Sequence, residues 1–280
     1  MRVLISADME GVSGVVHPDD VEPGTPAWNE FRHVMTADVN AAVAGFFEAG
    51  ATSVVVNDSH YTMRNLVVPE LDPRITYIKG AQKPLGMLQG LLDEDGRAAV
   101  DALAFVGYHA GAGQPGILAH THMGNSIVEV RMAGEPTSEG RMNALVAAEA
   151  GVPLVLVTGD DVTCADARGY APEVSTAQVK RAVTRYAGEV LPLPVAHETI
   201  RTAAAGSLDP LPTAPSPTGP CRIEVDLDAA HLAVSASRLP GVTAVGHRTV
   251  VLEEPTVLRA YQLFRLVAVM VDAATVGDWG

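Results

Sequence analysis

The chain of 280 residues has few cysteines, no cluster of basic residues and no long hydrophobic run. Its two cysteines, Cys164 and Cys221, cannot form a disulfide framework, which favours a reducing compartment. The net charge is −14, from 19 basic and 33 acidic residues, so nucleic acid is not an expected partner. The apolar start at residues 3–7 is too short for a signal peptide, and no run approaches a membrane span. We therefore expect a cytoplasmic protein that binds neither nucleic acid nor membranes.

Strand-like and helix-like patterns alternate through residues 1–205. A helix predicted at residues 30–49 precedes a strand at 53–57, and a helix predicted at 139–150 precedes a strand at 153–158. Such alternation indicates α/β architecture with a largely parallel central sheet. We therefore predict that residues 1–205 form a three-layer α/β domain.

Residues 206–220 contain five prolines, which exclude a helix and predict a linker. Residues 221–280 then form a smaller C-terminal α+β portion. An apolar helix is predicted at residues 256–274, and its buried face either completes the core or pairs with another subunit. Before this helix come three strand-like runs, at residues 221–227, 230–235 and 243–252.

Two carboxylates, Asp8 and Glu10, alternate directly after the first predicted strand, at residues 3–5. The two-residue period of a strand points both side chains the same way at its carboxyl end. Carboxylates so close together repel each other unless a cation lies between them or one of them holds a proton. The pair therefore indicates a metal site.

Potential metal ligands also follow other predicted strands. His60 comes shortly after the strand at 53–57, and His109 directly follows the strand at 103–108. Open α/β sheets bind ligands outside the carboxyl ends of their strands, so both histidines are expected at the same edge as the two carboxylates. A single histidine at a strand end more often caps a helix or lies solvated, but three strands that each deliver a potential ligand to the same edge are much harder to explain by chance.

Three further side chains are candidates with open alternatives. Glu139 begins a predicted helix, where an acid either joins the site or only stabilises the positive end of the helix dipole. His120 and His122 lie in a loop after His109, and the two compete for a functional role. Asn57 and Asp58 could orient a metal-bound His60, although a turn after a strand explains them equally well.

Five motifs, in this order and spacing, resemble the zinc D-aminopeptidases of the DppA type. The resemblance covers about residues 1–165 and weakens towards the end of the chain. It implies a dinuclear zinc site, with two Zn²⁺ per chain, and His120 as the catalytic histidine. The motifs are Asp8-Met-Glu-Gly-Val-Ser-Gly14, Asn57-Asp-Ser-His60, Gly107-Tyr-His-Ala110, Pro115-Gly116 with His120, and Glu139 with Asn143-Ala144. The implied zinc ligands are Asp8, which bridges both metals, Glu10, His60, His109 and Glu139.

The same resemblance implies a function and an assembly. Family members release N-terminal D-amino acids from short peptides such as D-Ala-D-Ala. Two zinc ions about 3.5–4 Å apart can activate a water at neutral pH, and His120 would assist it. His120 then serves as general base, general acid or oxyanion stabiliser, or as a nucleophile. A large homo-oligomer, with sites facing an internal channel, is also implied.

Two other functions remain open on the sequence. The first is a dizinc amidohydrolase that acts on another peptide or a cell-wall amide. The second is a non-catalytic dipeptide-binding protein, which would need an export signal and would have no use for clustered zinc ligands. Hydrolysis of a panel of peptides would separate these from a D-aminopeptidase.

Two local features bear on the pocket. Residues 111–116 satisfy G-x-G-x-x-G, but Pro115 interrupts the helix that a dinucleotide fingerprint requires, which favours a glycine-rich wall of the site. Ser138 precedes Glu139 and Gly140-Arg141 follow it, whereas the family pattern leads us to expect Gly before and a small or apolar residue after. Arg141 either holds a substrate carboxylate or lies solvated on its helix.

Overall fold

Two β-sheets organise the chain in the computed structural model, which describes residues 1–214, 217 and 219–275. The α-helices are α1 (Pro26–Glu48), α2 (Glu139–Glu149), α3 (Asp161–Tyr170), α4 (Leu193–Ala205), α5 (Ala230–Ala236) and α6 (Val257–Ala274). The strands are β1 (Arg2–Ala7), β2 (Ser53–Asp58), β3 (Thr76–Ile78), β4 (Ala102–Val106), β5 (Ile127–Met132), β6 (Glu135–Pro136), β7 (Leu154–Asp160), β8 (Ser175–Thr184), β9 (Ala187–Val190), β10 (Cys221–Leu227), β11 (Val242–Val245) and β12 (Thr249–Glu254).

The larger sheet has seven strands in the order β3-β2-β1-β4-β7-β8-β9, and every pair except β8–β9 is parallel. Successive residues of β1 face opposite sides, as a pleated strand requires. Val3 and Ile5 pack in a core with Phe46 of α1 and Ile200 of α4. The predicted α/β fold with a largely parallel central sheet is confirmed.

The opposite face of this sheet contributes to a second core. Leu4 of β1 and Phe105 of β4 belong to a buried cluster that also contains Val146 of α2, Tyr261 of α6 and Val225 of β10. Helices therefore cover both faces, which is the usual environment of a parallel sheet.

The smaller sheet is antiparallel, with five strands in the order β11-β12-β10-β5-β6. β10 pairs with β5 through registers such as Val225 with Val130, so the C-terminal portion shares a sheet with residues 127–136. The division into residues 1–205, 206–220 and 221–280 stays a prediction, and residues 215, 216, 218 and 276–280 lie outside the described residues. The strand predicted at 230–235 is wrong, because this segment forms α5.

Strand register brings three strand ends to one edge of the larger sheet. Ala7 of β1 is level with Asp58 of β2 on one side and with Val106 of β4 on the other. The residues that follow these three positions therefore leave the sheet together. Among the described residues, no helix has the length and apolar character needed to cross a bilayer.

Candidate metal centre

Five buried side chains converge at this edge of the sheet. Asp8 and Glu10 follow β1, His60 follows β2, His109 follows β4, and Glu139 is the first residue of α2. The exposed fraction of each side chain is between 2 and 8%. The structure therefore brings together every residue that the sequence analysis named as a zinc ligand.

The two oxygens of Asp8 face two different groups of side chains. Oδ1 lies 3.5 Å from Nδ1 of His60, which lies 3.1 Å from Oε2 of Glu10. Oδ2 lies 3.5 Å from Nε2 of His109, which lies 3.4 Å from Oε1 of Glu139. Within each group of three, the potential ligand atoms lie no more than 4.8 Å apart. Asp8 is thus placed to bridge two cations.

The donor set fits zinc. Oδ2 of Asp8 is buried and has no hydrogen-bond partner among the described residues. A buried carboxylate oxygen without a partner carries a desolvation penalty of several kcal/mol unless a cation or a donor offsets it. Imidazole nitrogens and carboxylate oxygens are ordinary zinc ligands, and each group offers one histidine and two carboxylates.

Backbone carbonyls orient all three histidines of the centre. Metal-bound histidines usually donate their second ring N–H to a carbonyl or carboxylate, which fixes the tautomer. With that assignment, the remaining nitrogen of each ring faces the space between the carboxylates, where its lone pair would be free for a metal. The donors and acceptors are His60 Nε2 to Val21 O at 2.9 Å, His109 Nδ1 to Ala110 O at 2.9 Å, and His120 Nδ1 to Leu118 O at 2.8 Å.

His120 lies outside the two groups that share Asp8, but it forms a third set with Glu10 and His109 whose potential ligand atoms lie within 4.8 Å of one another. Its ring stacks on that of His109, with centroids 4.2 Å apart and planes 5° from parallel. Nε2 lies 3.8 Å from Oε1 of Glu10 and 3.9 Å from Oε1 of Glu139, and the side chain is 16% exposed. Burial, together with the neighbouring His109, lowers the pKa of His120 below its usual value.

Electrostatics of the metal-free chain show how strongly the centre attracts positive charge. Burial and the adjacent Glu10 raise the pKa of Asp8 to about 7. Burial opposes the charging of His109, but Glu139 overcomes it and raises the pKa of His109 to about 10. The carboxylates of Glu10 and Asp8 likewise outweigh burial and raise the pKa of His60 well above its usual value. In the metal-free chain, protons on His60 and His109 thus supply the positive charge that a metal ion would otherwise supply.

Comparison with known proteins agrees with this geometry. The family model Peptidase_M55, described as D-aminopeptidase, matches residues 1–266. The chain belongs to this D-aminopeptidase family. The D-aminopeptidase of Bacillus subtilis (strain 168) is 34% identical over 267 residues, which cover 94% of each protein. The resemblance inferred from the five motifs is confirmed.

A solved structure has the same overall fold as this chain. It is described as the Zn-dependent D-aminopeptidase DppA from Bacillus subtilis, a self-compartmentalizing protease. The TM-score is 0.93 at 29% identity, and the match covers 99% of this chain and 100% of the other.

His122 lies in different surroundings from the nearby His120. Its ring meets Phe264 of α6 edge-on, with centroids 5.1 Å apart and planes at 74°. Its backbone N–H donates to Oε1 of Glu139 at 2.7 Å. The His122 backbone therefore orients Glu139, while the His122 ring packs against α6.

The loop that carries Asp8 and Glu10 is held by a buried lysine that the sequence analysis missed. Nζ of Lys180, on β8, donates to the carbonyl oxygens of Glu10 at 2.6 Å, Val12 at 3.0 Å and Val15 at 2.7 Å. The sequence gives no distinctive signal for it, because Lys180 lies between Val179 and Arg181 in a strand of mixed polarity. Burial lowers the pKa of Lys180 to about 8.

Close backbone contacts fix the same loop from the other side. A Cβ on Gly11 would lie 1.8 Å from the carbonyl oxygen of Tyr108, and one on Gly107 would lie 2.3 Å from that of Asp8. Gly107 also has a positive φ of 74°, which glycine adopts without strain. The motifs around Asp8 and His109 thus touch directly. Among the described residues, no hydrogen bond joins Asn57 or Asp58 to the ring of His60. Asp58 instead accepts from the side-chain amide of Asn65, which also donates to the carbonyl oxygen of His60 at 2.8 Å.

Replacement of Lys180 tests the anchoring of the loop. Lys180→Met leaves three buried carbonyl oxygens without their donor, so we expect a loss of about 2–4 kcal/mol in the free energy of unfolding. We also expect weaker zinc retention during dialysis against a mild chelator. Lys79→Met, at an exposed position after β3, is the matched control. Unchanged stability and zinc retention in Lys180→Met would contradict the anchoring role.

Proposed function

We propose that this chain is a zinc metallopeptidase that releases N-terminal D-amino acids from short peptides such as D-Ala-D-Ala. The observation that carries the proposal is the carboxylate of Asp8, whose two oxygens face two separate groups of histidine and carboxylate. Membership of the D-aminopeptidase family supports the substrate class.

Two zinc ions per chain would be held by these groups. Glu10 and His60 would bind one, His109 and Glu139 the other, and Asp8 would bridge them. When bound, such a pair supplies Lewis-acid activation of an amide carbonyl and of water. Three carboxylates against two divalent cations leave one net positive charge at the centre, which favours the negative charge that develops during amide hydrolysis.

His120 would move the proton. Its Nδ1–H is engaged by the carbonyl of Leu118, so Nε2 is the atom that accepts and releases a proton beside the ligand carboxylates. Burial lowers the pKa of His120 in the metal-free chain, which favours the neutral imidazole that a general base requires. Proton transfer is preferred over nucleophilic attack because a dizinc site already activates water.

Assembly and location follow as further parts of the proposal. The structural relative is a self-compartmentalizing protease, which supports a homo-oligomer for this chain. Apolar side chains on and beside the β8–β9 hairpin are about half exposed, which an interface between copies would cover. They include Val183 at 57%, Tyr186 at 52% and Val195 at 49%. The low cysteine count supports a cytoplasmic location, and the catalytic unit would be residues 1–205.

Zinc binding should displace protons from the centre. His60 and His109 hold protons at neutral pH in the metal-free chain, because their pKa values are raised. We expect two zinc ions to bind per chain with release of about two to three protons at pH 7, because Asp8, with a pKa of about 7, is also partly protonated. The affinity should fall as the pH is lowered. Calorimetry in buffers of different ionisation enthalpy measures both quantities. A single zinc per chain, or binding without proton release, would contradict the assignment.

Variants of the two loop histidines test the catalytic assignment. His120→Gln should keep both zinc ions and lose about 10²–10⁴-fold in kcat, as expected for removal of a general acid–base group. His122→Gln should retain most of the activity, because the variant keeps the backbone N–H that donates to Glu139 and the ring of His122 packs against Phe264. Zinc content and D-Ala-D-Ala hydrolysis are measured for both. The opposite pattern would transfer the role to His122.

A further inference from the structure

We infer that Asp160 is a positioning residue for His120, the histidine proposed to move the proton. Its buried carboxylate holds the loop whose backbone orients the imidazole of His120. The inference rests on the proposed peptidase function and adds a residue on which turnover, but not zinc binding, depends.

The carboxylate of Asp160 bonds two separate parts of the chain. Asp160 is the last residue of β7 and the N-cap of α3, and it is 1% exposed. Oδ1 accepts hydrogen bonds from the backbone N–H and the hydroxyl of Thr163, both at 2.7 Å, which caps the helix. Oδ2 accepts from the backbone N–H of Ile117 at 2.7 Å. The second oxygen therefore bonds a loop that lies 43 residues earlier in the sequence.

Three backbone N–H groups tie the loop of residues 116–120 to other parts of the fold. One acceptor is the carboxylate of Asp160, and the other two are backbone carbonyl oxygens. A hydrogen bond to an ionised carboxylate is stronger than one to a carbonyl, and only the carboxylate can be removed by a substitution. The pairs are Ile117 to Asp160 at 2.7 Å, Leu118 to Arg185 at 2.9 Å, and His120 to Ala110 at 3.2 Å.

The conformation of Leu118 explains why this loop has to be held. Leu118 has a φ of 51°, in the left-handed region that disfavours residues with a Cβ. Its carbonyl oxygen accepts the Nδ1–H of His120 at 2.8 Å. The acceptor that orients the imidazole thus belongs to a strained residue, and the hydrogen bonds of Ile117 and Leu118 keep that residue in place.

A glycine permits the close approach of Asp160 to the loop. A Cβ on Gly116 would lie 2.6 Å from Cβ of Ala110 and 3.2 Å from Oδ2 of Asp160. The first distance is far below van der Waals contact, so an alanine would push the loop away from the carboxylate. The glycine of the Pro115-Gly116 motif therefore serves this contact.

His120 depends on the loop for the direction of its reactive nitrogen. With Nδ1–H held by Leu118, Nε2 lies 3.8 Å from Oε1 of Glu10 and 3.9 Å from Oε1 of Glu139. A misplacement of about 1 Å can cost about 100-fold in rate. Among the described residues, Asp160 bonds none of the five proposed zinc ligands, so zinc binding should not depend on it.

Kinetics, zinc content and amide exchange of Asp160→Ser test the inference. Serine caps a helix about as well as aspartate, but its shorter side chain has a single oxygen and cannot also reach Ile117. We expect kcat for D-Ala-D-Ala to fall about 10- to 100-fold, with KM changed less than about threefold and two zinc ions per chain retained. Amide hydrogen exchange, measured by mass spectrometry, should be about tenfold faster in residues 116–120 and unchanged in α3.

Two further variants separate the hydrogen bond to Ile117 from the other roles of Asp160. Thr163→Val keeps the carboxylate and its bond to Ile117 but removes the hydroxyl donor, so it should lose stability with kcat unchanged. Gly116→Ala displaces the loop but keeps the negative charge opposite Lys180, the register partner of Asp160 across β7 and β8. It should reproduce the fall in kcat with zinc retained, and it carries the test if Asp160→Ser does not fold.

The failures are distinguishable. Unchanged kcat in Asp160→Ser, or loss of zinc together with activity, would overturn the positioning role while the peptidase function stands. If the zinc-loaded wild type cleaves only L-peptides, the proposed stereochemistry fails, and the same kinetics on L-Ala-L-Ala decide the role of Asp160. If the wild type cleaves neither, the peptidase function is overturned, and unchanged exchange in residues 116–120 of Asp160→Ser would overturn the anchoring of the loop as well.

Discussion

Three carboxylates buried within a few ångströms of one another are the constraint on which the structure around the centre depends. Asp8, Glu10 and Glu139 cannot all ionise in a desolvated site without nearby positive charge. In the metal-free chain, His60 and His109 supply this positive charge, because their pKa values are raised by the neighbouring acids. The negative charge that favours protons on these histidines also favours a divalent cation, and the two compete for the same lone pairs.

The fold meets this constraint by holding the ligand side chains in fixed positions. Parallel pairing of β1 with β2 and β4 delivers three strand ends to one edge, and the first residue of α2 completes the set. Because the ligand loop after β1 is irregular, other elements must hold it. Lys180 binds three of its carbonyls, and Gly11 lets it lie directly on the backbone of Tyr108. The metal loop is thus fixed by contacts that are distant in sequence.

Local patterns in the sequence were enough to predict the ligands at the ends of the strands. Asp8, His60 and His109 could be placed because each directly or closely follows an apolar strand, and strand ends in such sheets converge. The role of Lys180 could not be predicted, because its partner Glu10 lies 170 residues away and a lysine in a strand has no distinctive signal. The short segment at 230–235 was assigned to a strand, since seven residues of α5 show too little periodicity to separate the two structures.

Contacts between residues far apart in the sequence could not be predicted either. The pairing of β5 with β10 joins residues that a proline-rich segment separates in the sequence, so the smaller sheet could not be assembled from neighbouring patterns. The orientation of His60 likewise comes from the carbonyl of Val21 rather than from the adjacent Asn57 and Asp58. Such contacts depend on how loops return to the sheet.

The most direct test of the account combines metal content with stereochemistry on one preparation. The zinc-reconstituted protein is assayed for metal per chain and for hydrolysis of D-Ala-D-Ala against L-Ala-L-Ala. The account predicts two zinc ions per chain and turnover of the D-dipeptide alone. Equal turnover of the L-dipeptide would contradict the substrate assignment, and failure to bind zinc would contradict the metal centre on which every other part depends.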